Sequence, residues 1–197
     1  VRPRGFGEVV GGPEDARLDS PGLGDWDVRA LLGHTCRAFL TVESYLAPAE
    51  PGGGPTLTGA ADYFRAVAAG LADPAQVRQR GVDAGAALGE DPRGAALAIA
   101  TRVAELVVST PDEAPVATPV GLMILEGYLP TRAFELTVHT LDLARALDRP
   151  VPDVIAATAA PALELCARLL PVERQVAVLL ALTGRESLPV GFSVLGG

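Results

Sequence analysis

The stretch TRAFELTVHTLDLARAL, Thr131 to Leu147, sets apolar side chains three and four positions apart and contains neither Gly nor Pro. That period is the mark of an amphipathic helix. One face, however, carries Arg132, Glu135, His139 and Asp142, in steps of three, four and three. Each helical residue advances about 100° and rises about 1.5 Å, so these four share a stripe with Tyr128, while Leu129, Ala133, Leu136 and Leu143 point elsewhere. Glu135 and His139 then stand about 6 Å apart along the axis, close enough for both to reach one metal ion at about 2.0–2.2 Å. Such pairs are also common on solvated, salt-bridged helix surfaces, so the spacing alone leaves both readings open.

The helical period governs most of the remaining chain. GDWDVRALLGHTCRAFLTVESYL predicts a helix from about Val28 to Leu46. Asp27 is placed to accept from the free amides of its first turn, and Trp26 and Leu31 are spaced as a hydrophobic staple. The helix should end before Pro48 and the loop EPGGGP. TGAADYFRAVAAGLADPAQVRQRGVDAGAALG reads as a second helical region broken at ADPAQ, where Asp73 caps and Pro74 opens a new helix. DPRGAALAIATRVAELVVST repeats the device with Asp91 and Pro92. PDEAPVATP reads as a loop, and a fourth long helix is expected from Val120 to Leu147, with Gly127 and Pro130 implying a bend or a late start.

Shorter helices are expected at Val154 to Leu169 and Val172 to Leu182, followed by an extended strip, TGRESLPVGFSVLGG, that packs back on the body. Residues 1–24, rich in Gly, Pro and charge, are expected to include an irregular lead-in. No useful length of strand-type alternation and no repeat period stands out. The expectation is an all-α protein: a four-helix bundle over residues 1–150, with additional C-terminal helices over 151–197 packed on it.

Composition narrows the function classes. Hydrophobic residues make up 49% of the 197, enough for one substantial core. The net charge of −8 argues against a nucleic-acid partner, which would want a basic face. The first residues lack the apolar run of a signal peptide, and no segment approaches 18 uninterrupted apolar residues, so a soluble, cytoplasmic protein with no membrane partner is expected. Cys36 and Cys166 are far apart and outside any C-x-x-C pairing, which fits small buried side chains rather than a disulfide or redox motif.

A metal site at Glu135 and His139 would need a third ligand from elsewhere, and the only other histidine of the chain is His34. It lies on the helical face that holds Leu31, Ala38 and Thr41, which looks core-directed. A buried imidazole needs partners for its ring nitrogens, and a backbone carbonyl is the common one. If the first and fourth long helices are neighbours, His34, Glu135 and His139 could instead meet at one ion, as two histidines and a carboxylate with an open fourth position. The H-E-x-x-H pattern of zinc proteases is absent.

Together these segments resemble a known family. WDVRALLGHTCRAF is similar to the W-x-V-x-D-L-x-x-H signature of mycothiol-dependent maleylpyruvate isomerase-like proteins, within the DinB-like bundle superfamily. RAFELTVHTLDLARALDRP resembles that family's E-L-x-x-H-x-x-D-L-A-R-A-x-G helix, and VRQRGVDAGAALGEDP and LTGRESLPVGFSVL look like segments of its shorter members. The resemblance implies a divalent metal, zinc in the first place with nickel or iron as alternatives, held by His34, Glu135 and His139. It also implies a low-molecular-weight thiol such as mycothiol as fourth ligand and a small electrophilic substrate. A metal-bound thiol is deprotonated, which would supply a nucleophile without a protein cysteine. Cys36 fits that arrangement, lying about 200° around the helix from His34.

Asp142 would orient His139 from one turn beyond, or pair with Arg145. Arg132 and Arg80 would bind carboxylates of thiol or substrate, or lie on solvated faces. Two departures favour thiol transfer over maleylpyruvate isomerisation itself: Ser20 stands where the family's C-P-G has Cys, and the segment after Pro150 is short. A metal-dependent hydrolase, with Asp142 as base, and a non-catalytic metal-binding bundle are the competing functions. The sequence leaves the oligomeric state open, a homodimer included.

Overall fold

The computed structural model describes residues 4–11, 17–46, 56–70 and 73–195. It is an all-α bundle with one small hairpin among the described residues. Its centre is α2, Val28–Tyr45, which packs on α4 (Pro74–Ala87), α5 (Pro92–Ser109) and α6 (Leu125–Ala146). Val28, Leu31, Leu32, Cys36, Phe39 and Val42 recur at helical spacing and are all buried. A shorter helix, α3 (Ala60–Gly70), rests on α6 and supplies Tyr63 and Phe64 to the same core.

The caps fall where the sequence puts them. Asp27 accepts from the Ala30 amide at 2.7 Å, Asp73 from Ala75 at 3.0 Å and Asp91 from Gly94 at 2.9 Å. Each satisfies an amide that the first turn leaves free. Gly33 and Gly85 let α2 and α4 touch backbone to backbone: a Cβ on Gly33 would collide with the Gly85 main chain. That contact brings α4 tight against the N-terminal half of α2, where His34 sits.

One expectation is refined and two are corrected. The lead-in is not wholly irregular, because Arg4–Val10 forms a helix, α1. Its two glycines mask the signal, but Phe6, Val9 and Val10 share a buried stripe, and Phe6 meets the Phe39 ring edge-on at 5.4 Å. The stretch read as a loop plus the start of the fourth helix is an antiparallel hairpin, β1 (Pro115–Thr118) and β2 (Gly121–Ile124), in register Val116 with Met123. Both of those side chains are buried, and Leu46 bridges to Val116. Helix α6 therefore begins at Leu125 rather than Val120, the late start that Gly127 and Pro130 had allowed. Its first amides are met from the preceding turn, Leu125 by the Ala114 carbonyl and Glu126 by that of Asp112. The expected Val154–Leu169 helix is two pieces, α7 (Asp153–Ala156) and α8 (Ala159–Leu169), with the break at Ala157 and Thr158.

Helix α8 packs on α3 and α6, and α7 on α1. Helix α9, Val172–Leu182, has no buried residue, and Val172, Val176, Leu179 and Leu182 are all exposed. Beyond it, the Arg174 guanidinium lies 5.9 Å from the Phe192 ring centroid, while Val190 stands in solvent. The loop EPGGGP expected after α2 lies outside the described residues.

Candidate metal centre

The cap at Asp27 fixes where α2 begins, and that phase turns His34 toward α6 rather than solvent. Along α6 the same geometry stacks Glu135, His139 and Asp142 one turn above another. The outcome is a cluster: each of His34, Glu135 and His139 offers one ligand atom, and these atoms all lie within 4.8 Å of one another. The two imidazoles meet edge to face, 4.7 Å between centroids. All three residues are half-buried.

Both nitrogens of His139 face carboxylates. Nδ1 is 3.2 Å from an Asp142 oxygen and Nε2 is 3.1 Å from a Glu135 oxygen. Burial lowers the pKa of this ring, but the hydrogen bonds to Asp142 and Glu135 outweigh it and raise it to about 9. Glu135 is pushed up by burial and pulled down further by the His139 hydrogen bond and charge, so its carboxyl stays below the usual range. His34 behaves oppositely. Burial, and then the positive charge on His139, lower it to about 4. Its Nδ1 is buried with no hydrogen-bond partner among the described residues.

This arrangement fits a divalent ion. Without one, a proton must sit between His139 Nε2 and Glu135, since two acceptors cannot otherwise face each other at that distance. An ion would replace that proton, with Asp142 holding the other ring nitrogen as a hydrogen-bond acceptor, the usual support for a ligating histidine. The orphaned nitrogen of His34 marks a ring whose polar needs the protein does not meet.

The two histidines give a direct check on the metal-free protein. By NMR of the imidazole resonances, His139 should titrate well above 6.5, near 9, and His34 well below it, near 4. The raised group adds stability in full below about pH 6.5, and loses it as pH climbs through 9. The depressed group adds stability above about 6.5, and loses it as pH falls through 4. Metal-free protein should therefore be most stable near pH 6.5. Two histidines titrating together near 6.5 would contradict the geometry.

The other expected site residues are placed as follows. Asp142 faces His139, and no ion pair with Arg145 forms among the described residues. Arg132 is buried. Its Nε donates to Thr131 Oγ1 at 2.9 Å and its Nη1 to Thr41 Oγ1 at 3.3 Å. The guanidinium lies 4.9 Å from the Tyr128 ring centroid and 5.4 Å from that of Tyr63. No carboxylate among the described residues pairs with it, although its charge helps to hold Glu135 ionised. Arg80 is half-buried on α4, near enough for its charge to disfavour protonation of His34, and Arg37 acts the same way from α2. Cys36 is buried, with its thiol pushed up to about 12, so it is no nucleophile.

Sequence reasoning missed one neighbour of the centre. Trp26, expected to pair with Leu31, lays its indole on the His34 ring, 4.5 Å between centroids. It lies outside the helix, so no periodicity relates it to His34. A cavity of about 200 Å³ lined by Pro130, Ala133, Phe134 and Thr137 opens on the reverse face of α6, and none of the three candidate ligands lines it.

The family model for the mycothiol maleylpyruvate isomerase N-terminal domain matches residues 3–144. The chain belongs to that family. The matched span holds α2, α4 and nearly all of α6, and so every residue of the centre, while α7, α8 and α9 lie beyond it. This mycothiol-related, DinB-like bundle thus carries the His₂Glu cluster within the part that defines the family. No curated protein and no solved structure matches the chain. Among the described residues no helix is long and apolar enough to cross a membrane.

Proposed function

We propose that this protein is a metal- and mycothiol-dependent transferase or isomerase of the cytoplasm, acting on a small electrophilic substrate. The observation that carries the reading is the convergence of His34, Glu135 and His139 within 4.8 Å, inside the family-matched span. Three protein ligands leave one position of a tetrahedral ion free for an outside ligand. A divalent ion there, zinc in the first place and nickel or iron otherwise, would hold a small thiol as its thiolate at neutral pH.

The chain's own groups have separable tasks. Asp142 accepts from His139 Nδ1 and so leaves Nε2 for the ion. Glu135 adds a negative ligand. Arg132, buried with unused donors and no carboxylate of its own, is the group we assign to an acidic or carbonyl oxygen of the bound molecule. Arg80 is a second positive group, near the His34 ring. The hydrolase alternative is less well served, because its candidate base, Asp142, is already engaged by His139.

The test is metal analysis of the purified protein followed by titration with mycothiol and a generic electrophile. One equivalent of metal, saturable thiol binding and a thioether product are expected. Metal without thiol binding would overturn the transferase reading and leave a metal-binding bundle.

A further inference from the structure

A histidine that ligates a metal ordinarily donates its second N–H to a carboxylate or carbonyl, which fixes the ring. His139 has that support in Asp142, and His34 does not: whichever of its nitrogens faces the ion, the other finds no hydrogen-bond partner among the described residues, and Nδ1 is buried. What holds the His34 ring is aromatic surface. The Trp26 indole covers it at 4.5 Å with an interplanar angle of 35°, and the His139 ring abuts it edge-on. Offset and edge-to-face ring contacts attract beyond the area they bury, because the ring edge carries positive and the ring face negative charge density.

The indole is itself mounted on α4. Its Nε1 donates to the Arg78 carbonyl at 2.9 Å. Gly81, one turn further along that helix, is the seat: a Cβ there would lie 2.6 Å from Cε2, 2.7 Å from Cζ2 and 2.8 Å from Nε1 of the indole. Those separations are too short for any side chain, so the ring keeps its place only while residue 81 is Gly. The Gly33 and Gly85 contact holds α4 against α2 and fixes this mount relative to His34.

We propose that Trp26 is the positioning residue for His34, clamping the imidazole between the Gly81 seat on α4 and His139 on α6, and that α4 thereby sets the affinity of the centre for its ion. The proposal rests on the metal reading for its effect on affinity, but the clamp itself acts in the metal-free protein. Trp26 is the sole tryptophan of the chain, so its emission reports on this contact without a label.

Three variants test it: Trp26→Leu, Trp26→Phe and Gly81→Ala, the last altering neither ring. Zinc affinity is measured by competition with a chromophoric chelator, and urea unfolding of the metal-free forms is measured alongside. In the wild type, Co²⁺ uptake should quench the tryptophan emission. Trp26→Leu and Gly81→Ala should each weaken zinc about 10–100-fold, the range for a lost outer partner of a ligating histidine. Trp26→Phe, which keeps an aromatic face, should recover most of that loss.

In the metal-free protein, His34 imidazole resonances should broaden and move in Trp26→Leu while those of His139 change little. Unchanged zinc affinity in folded Trp26→Leu and Gly81→Ala would overturn the proposal. So would an affinity loss that simply tracks the loss of metal-free stability, or a His34 spectrum indifferent to Trp26. A wild-type protein that takes up no zinc would overturn the metal reading instead, and the imidazole spectra would still decide whether Trp26 holds His34.

Discussion

His34→Ala is expected to empty the centre of metal. His34 is the one ligand that α2 supplies, and without it only Glu135 and His139, both on α6, remain. Two ligands on adjacent turns of one helix hold an ion far more weakly than three that enclose it. Metal per chain, by elemental analysis after gel filtration, should fall from one equivalent to near zero. The affinity should drop by more than the roughly 10–100-fold that losing an outer partner costs. The substitution removes a ring whose Nδ1 makes no hydrogen bond, so the bundle should still fold. A folded His34→Ala protein that keeps a full equivalent of zinc would place the ion elsewhere.

Asp142→Ala should produce the next largest effect without removing a ligand. Its carboxylate is the acceptor for His139 Nδ1, and losing it frees the ring to turn and to exchange tautomers. Zinc should bind about 10–100-fold more weakly. In the metal-free protein the His139 pKa should fall from about 9 toward the ordinary value, because one of the two bonds that outweigh burial is gone. Arg145→Ala, by contrast, should change neither quantity, since Arg145 is exposed and unpaired with Asp142. Equal effects of the two substitutions would return Asp142 to the role of a surface ion-pair partner.

Local chemistry was the part most plainly written in the chain. Asp27, Asp73 and Asp91 cap where an acid before a helical run should, and the fourth helix shows its stripe of Glu135, His139 and Asp142 by period alone. What period could not supply was the distance between α2 and α6, a tertiary quantity that the family resemblance stood in for. The hairpin escaped notice because strands of four residues hold too little alternation to register: Pro115 and Pro119 put the first strand in an expected loop, and the second was absorbed into the expected fourth helix. Helix α1 escaped because Gly5 and Gly7 depress its propensity, while burial of Phe6, Val9 and Val10 overrides that. Asp142 had two partners at the same helical spacing, His139 and Arg145. Only the packed structure shows the half-buried imidazole, not the exposed guanidinium, taking the carboxylate.

The ligands also come from helices that lie far apart in the chain. An ion shared by α2 and α6 would tie off a loop of roughly a hundred residues, with α3, α4, α5 and the hairpin all inside it. In the chain-entropy treatment of cross-links, a covalent tie of that span removes about 4–5 kcal/mol from the unfolded ensemble, an upper guide for a reversible one. Loading should accordingly be among the last events of folding, because His34 waits for most of the bundle to be synthesised and docked before its partners arrive. Chelation would then act as a loosening of the whole bundle, felt in helices that never touch the ion.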